Sequence, residues 1–470
     1  MMPQNSILYQ NAEKTVFLID IPTSIASAQE LSPVQLGATP CISYPAGKKH
    51  TTSTAGIDNH KKRLLLSSNS LEKPYAVSTE PKTDAARARL LDRIPVSERV
   101  FQTEIIEPLV RGALQEISGG YSESADWCRV REIREEETQL KRRRDGPWSG
   151  TVSCEDGCSA DSALGVSAPT SPPVILSPGL NMFGSMPELC NVVVRNTSST
   201  QALLGVGCKL EAEHCEVMTA HRHVFFVPPL STFLLCSLPL SAEDEASQDP
   251  IPGLSQDRKF NLILLDPPWS NRSVRRSGHY QTQSYSDIGS LSKRIEDILK
   301  IHLSHDPVGL GDHTQAPECV SIAAIWVTNA PKARRAAYDA IKGAGLSVYE
   351  EWVWIKTTTK GEPITPLDGL WRKPYEILVI GRRMDRLSDA TDAITRRVIA
   401  GVPDVHSRKP NLKEAFEQVF FTRSGSGPTT GDTCMAYSAL EVFARNLTAG
   451  WWACGNEALK FNSEDWWVEA

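Results

Sequence analysis

The chain is 470 residues long, with 40% apolar residues and a formal net charge of −6, enough for two or three domains with ordinary cores. Its 50 Lys/Arg against 56 Asp/Glu exclude a uniformly basic nucleic-acid-coating protein. No apolar run reaches the ~18 residues of a membrane helix. Eleven scattered cysteines, an odd number, suit free thiols in a reducing compartment, so a cytosolic or nuclear protein is expected. Residues 251–470 hold 27 Lys/Arg against 26 Asp/Glu and the remainder 23 against 30, so a nucleic-acid surface would be a local patch with salt-sensitive affinity.

Residues 1–90, rich in Ser, Thr, Pro and Lys, read as largely flexible, with one short strand near Val16–Ile21. Residues 91–145 read as a small helical subdomain. Ser97 can cap a helix over 97–117 whose apolar stripe is Val100, Ile105, Leu109, Leu114 and Ile117. A second, charged helix is predicted over 127–144. Its end, Lys141-Arg142-Arg143-Arg144, reads equally as a nuclear import signal or a solvated helix end. A Gly/Ser/Pro-rich linker is expected over 146–184.

From about residue 185 strands and helices alternate. Strands are predicted at Cys190–Val194, Val224–Val227, Phe260–Leu265, Ser321–Thr328, Val348–Lys356 and Ile377–Ile380, and helices at Ser290–Leu303, Lys332–Gly343 and Asn411–Phe420. Alternation of this kind gives an α/β fold with a doubly wound, mainly parallel sheet over 185–470.

One tetrapeptide carries chemistry. Asp266-Pro267-Pro268-Trp269 closes the apolar run Phe260–Leu265. Proline cannot donate to a sheet ladder, so the strand stops and the carboxylate falls at its carboxyl end, where open α/β sheets bind ligands. A carboxylate and a proline carbonyl can accept the two N–H bonds of an exocyclic aromatic amine, orienting its lone pair and stabilising charge that develops on nitrogen. An indole can stack on the base.

With Ala324–Asn329, Glu351–Thr357, Arg372–Gly381, Ser407–Pro410, Leu440–Arg445 and Trp451–Glu457 following in order, the segment resembles the MT-A class of adenine-N6 methyltransferases over roughly 185–470. The resemblance implies a Rossmann-like methyltransferase sheet in permuted order, catalytic motif before cofactor motif, and S-adenosyl-L-methionine as cofactor. It implies Asp266, Pro267, Pro268 and Trp269 as catalytic residues, and Lys409, Glu441, Arg445, Asn446, Asn456 and Glu457 as the cofactor set. It also implies methylation of N6 of adenine in RNA, including 2′-O-methyladenosine of small nuclear RNA, with DNA as a further possibility. A non-catalytic RNA-binding scaffold is the alternative; it fits less well because Asp266 is intact. The family often has an acidic residue before the catalytic strand, where this chain has Ser237.

Asn271, Arg272, Arg275, Arg276, His279 and Tyr280 follow the tetrapeptide. Basic residues interleaved with aromatics beside a pocket suit phosphate contacts plus base stacking, with the target adenine unstacked or already single-stranded. Cys208, His214, Cys215, His221 and His223 cluster without a standard zinc spacing, so no metal is expected. The N-terminal helices can cover a partner-sized surface, which allows a monomer.

Overall fold

The computed structural model describes residues 5–31, 63–76, 81, 83–122, 125–134, 172–208, 221–239, 249–269, 288–304, 320–370, 372–383, 393–423, 433–434 and 436–470. Its frame is a mixed sheet of twelve strands. In chain order these are β1 Ile7–Gln10, β2 Val16–Ile19, β3 Val174–Leu176, β4 Val193–Asn196, β5 Thr232–Leu234 and β6 Leu262–Leu265. They continue as β7 Ile322–Val327, β8 Ser347–Lys356, β9 Tyr375–Arg382, β10 Thr395–Gly401, β11 Ala439–Val442 and β12 Trp452–Cys454. The spatial order is β1-β2-β10-β8-β9-β7-β6-β11-β12-β5-β4-β3. The centre, β7-β6-β11-β12-β5, is parallel throughout. Antiparallel β9 then splits it from a second parallel group, β8-β10-β2.

Every residue of β6 is buried. Side chains alternate across a strand, so Leu262 and Leu264 enter one core and Ile263 and Leu265 another. The second core is covered by helices α2 Glu107–Gly120, α3 Ile288–His302 and α4 Pro331–Gly343, through residues such as Val110, Ile295 and Ile341. The first is covered by α1 Ile21–Ala28 and α5 Lys413–Phe420 through residues such as Ile25 and Phe416, the latter packed against Trp352. Helices lie on both faces, as a doubly wound sheet requires. In α4, proline opens the helix and Ala333, Ala336, Ala337, Ala340 and Ile341 form its buried stripe. Asp20 caps α1, its Oδ2 accepting from the Thr23 amide at 3.1 Å.

Three expectations change. The expected strand near Val16–Ile21 is not an isolated element of the N-terminal region: Val16–Leu18 pair in parallel with Val398–Ala400, so β2 is an inner strand of the large sheet. The charged helix over 127–144 does not form through residue 134, where Glu132–Ile133 is instead a strand beside Leu66–Ser67; Lys141–Arg144 lie outside the described residues. Within the expected linker, Val174–Leu176 is the edge strand of the large sheet, and Gly179–Phe183 pairs with the strand Ala202–Cys208. The helix over 97–117 is present as Val96–Val100, a π-helical stretch Phe101–Ile106 and α2. Among the described residues no helix is long and apolar enough to cross a membrane.

Candidate active site

Two neighbouring strands end together. The β6–β11 ladder runs Leu262↔Ala439 to Leu265↔Val442, and the Asp266 amide donates the next bond, 3.2 Å to the Val442 carbonyl. Beyond it the prolines end β6. On the β11 side Phe443 turns with φ +61°, and across the cleft Ser407 has φ +72°. Left-handed backbone is strained for both residue types, and such strain concentrates at binding sites. Gly455, at the end of β12, has φ +139°, and a Cβ there would lie 3.2 Å from the Phe443 Cα.

These ends enclose a narrow cleft. Asp266, Trp326, Lys409, Glu441, Arg445 and Asn446 line it. The Lys409 ammonium sits 3.1 Å from Asp266 Oδ1 and 2.9 Å from Glu376 Oε2, and Lys356 reaches Glu376 Oε1 at 2.6 Å. On the other side Arg445 lies 3.6 Å from Asp266 Oδ2. Its Nε donates to Glu457 at 3.0 Å, and Lys460 pairs with Glu457 at 2.7 Å. Asp266, with its side chain 17% exposed, is thus held between two cations that each have a second carboxylate.

The charges set the titrations. Burial by itself would lower the Lys409 ammonium, but Asp266 and Glu376 more than offset it and hold the proton firmly. Burial would raise Glu376, yet Lys409 and Lys356 keep it far below the usual carboxylate range. Glu441 is the exception. Burial, then the nearby charge of Asp266, pushes it up to about 8, with Arg445 opposing. The Nδ2 of Asn446 is buried without a hydrogen-bond partner among the described residues, a donor that a ligand in the cleft would satisfy.

Of the residues named from sequence, the structure brings Asp266, Lys409, Glu441, Arg445 and Asn446 into one cleft. Glu457 touches it through Arg445, while Asn456 is exposed and does not line it. Trp269 is not poised to stack on a ligand there. It is 7% exposed, belongs to the buried core, and donates its indole N–H to the Trp326 carbonyl at 2.6 Å. The Pro267 carbonyl, expected to be free, accepts from the Trp269 amide at 2.8 Å; one lone pair remains. Asn271, Arg272, Arg275, Arg276, His279 and Tyr280 lie outside the described residues, as do His214 and Cys215.

Glu376 and Lys356 do not stand out in the sequence as site residues. Each is the one charge in an apolar stretch within its strand, Tyr-Glu-Ile-Leu-Val and Val-Trp-Ile-Lys. That is itself a signal, because an isolated charge in such a strand is costly unless paired.

A family model described as MT-A70 matches residues 260–457, the stretch that supplies Asp266, Glu376, Lys409, Glu441 and Arg445. The chain carries an MT-A70 family domain. It is 36% identical over 253 residues to "N6-methyladenosine RNA methyltransferase MTA1" of Cryphonectria parasitica, covering 52% of this chain and 63% of that protein. It is 28% identical over 469 residues to the protein of the same name from Pyricularia oryzae, covering 98% and 96%. Against "N(6)-adenine-specific methyltransferase METTL4" of Homo sapiens it is 30% identical over 263 residues, covering 54% of this chain and 47% of the human protein. The alignments thus span under two thirds of the Cryphonectria and human proteins. In the MT-A70 domain the cleft opens at the carboxyl ends of the central parallel strands, the position where open α/β sheets bind ligands.

Proposed function

We propose that this chain transfers a methyl group from S-adenosyl-L-methionine to N6 of adenine in nucleic acid. The reading rests on one observation: the Asp266 carboxylate stands at the end of β6, inside a cleft also lined by Lys409, Glu441, Arg445 and Asn446. The names of the fungal and human relatives point the same way.

The residues fit such a cofactor. Lys409 or Arg445 can pair with a carboxylate, Glu441 can bond to hydroxyls, and the orphaned Asn446 amide offers a donor. When bound, the cofactor supplies an electrophilic methyl on a positive sulfur. The protein's part is to hold the acceptor amine in line with it. Asp266 Oδ2, at 3.6 Å from Arg445, is beyond hydrogen-bond range of that cation and keeps capacity to accept an amine N–H. The spare lone pair of the Pro267 carbonyl takes the second. Both acceptors favour the geometry in which the nitrogen lone pair points outward, and both would stabilise the positive charge that grows on it as an N–C bond replaces the S–C bond, before the nitrogen gives up its surplus proton to water. The adenine ring then stacks on something other than Trp269.

RNA is the first substrate to test, with 2′-O-methyladenosine-containing RNA and DNA oligonucleotides beside it. Labelled cofactor is incubated with each and with the wild-type or Asp266→Asn chain. The expected result is methyl-N6 formation by wild type and a loss of ~10²-fold or more in the variant. None by wild type despite cofactor binding would favour the scaffold reading, and equal incorporation by both would overturn the role given to Asp266.

A further inference from the structure

Lys409 is carried by a loop that residues distant in sequence pin down, and the pin is Arg408. Its side chain and that of Asp404 are both 0% exposed, with Nη1 2.7 Å from Asp404 Oδ2. Nη1 also donates to the Leu66 carbonyl at 2.9 Å. The guanidinium carbon lies 4.4 Å from the Phe461 ring centre and 4.8 Å from that of Trp466. Nε and Nη2 have no hydrogen-bond partner among the described residues; ring faces occupy their surroundings, which a planar arginine tolerates and an ammonium does not.

The N-terminal region grips the same loop. The Ser68 amide donates to Asp404 Oδ1 at 2.9 Å. Arg131 donates to the carbonyls of Val402 at 2.8 Å and Pro403 at 2.9 Å, and to that of Ser68 at 3.3 Å. Between this clamp and Lys409 lies the left-handed Ser407, a conformation that persists only where its surroundings over-determine it. On the other side of Arg408, Lys409 points its ammonium at Asp266 and Glu376.

We propose that Arg408 is a positioning residue for Lys409, and that residues 63–68 and 131 act through it to fix the cofactor side of the cleft. The inference deepens the methyltransferase reading and rests on it. It gives the N-terminal region a part in cofactor binding without any contact with the cofactor.

Binding of S-adenosylhomocysteine to the full chain, by calorimetry up to millimolar ligand, tests it. Removing Arg408 alone would strand the buried Asp404 carboxylate, so the variant is Arg408→Met with Asp404→Leu; Arg131→Met is made alongside it. Near-UV circular dichroism and melting report the fold. The expected result is a folded paired variant whose Kd rises about tenfold, and a smaller rise for Arg131→Met, both largely absent when combined with Lys409→Gln, because residues in one network are non-additive. A folded paired variant with wild-type Kd overturns the proposal, as does a loss that persists undiminished beside Lys409→Gln. If the paired variant does not fold, Arg131→Met decides on the same terms. A wild-type chain that binds no S-adenosylhomocysteine overturns the functional reading first, and this inference with it.

Discussion

Glu441→Gln should stabilise the protein at alkaline pH and leave it almost unchanged in acid. The Glu441 carboxyl loses water in the cleft and faces the charge of Asp266, so it moves from 4.5 up to about 8. The folded state therefore holds this proton more tightly than the unfolded chain does. The sign follows from linkage: the contribution to stability is fully present below about 4.5 and is lost as pH rises through about 8. At ~1.4 kcal/mol for each pKa unit, that span corresponds to ~5 kcal/mol. Glu441 is only half-buried and looks into an open cleft, so solvent relaxation should leave ~2 kcal/mol. Glutamine keeps the shape of the neutral acid and cannot ionise. Urea unfolding of both proteins at pH 5 and pH 9 is the assay, with the variant expected to gain ~2 kcal/mol over wild type at pH 9 and close to nothing at pH 5. A difference that is the same at both pH values would refute the argument, since it would show that Glu441 is ionised in the folded protein well below neutrality.

A bound sulfonium charge should favour ionised Glu441, so cofactor binding near pH 7 should release more protons than binding of the uncharged thioether product. Calorimetry in buffers of different ionisation heat counts them, and equal proton counts for the two ligands would show that the sulfonium charge does not act on Glu441. Trp352→Ala removes a fully buried ring stacked with Phe17 and Phe420 and should cost ~3–5 kcal/mol in urea unfolding. Gly361→Ala places a Cβ 2.5 Å from the Trp127 ring at φ +83°. It should lower stability by ~1–3 kcal/mol, read as a loss of melting temperature, while Gly345→Ala, at φ +75° with open space around it, should cost less.

The cleft is legible where chemistry and strand grammar coincide. An apolar run closed by two prolines can only put Asp266 at a strand end, and Glu441 in the strand Ala439–Val442, with a base four residues on, can only approach it if those strands are neighbours. Trp269 misleads because residue type allows stacking but the turn decides where the ring points. The turn closed by the Pro267–Trp269 hydrogen bond carries an indole that is buried in the core and bonded to the Trp326 carbonyl. Thr395–Gly401 is hidden as a strand because Arg396 and Arg397 break its apolar run. Their charges are answered by Glu351 and Glu350 on the adjacent β8, at 2.8 Å and 2.7 Å, and only the register between two strands shows that. Val16–Ile19 is visible as a strand, but nothing local can announce that its partner is Val398–Ala400, near the other end of the chain.

That last pairing separates the segment defined by family likeness from the unit that folds. The match covers residues 260–457, yet β2 from the N-terminal region hydrogen-bonds to β10 inside it, and α2 covers the same sheet face as α3 and α4. The strand Arg63–Ser67 pairs with Trp467–Glu469 at the other end of the chain. Excising the matched segment would uncover β10, strip α2 from the core that holds Val353 and Val398, and leave the Arg408 loop without Leu66, Ser68 and Arg131. Those losses are backbone ladders and fully buried apolar faces, which a folded sheet cannot surrender to water cheaply. Where the N-terminal strands complete the sheet that carries the site, the matched segment is smaller than the unit that must fold.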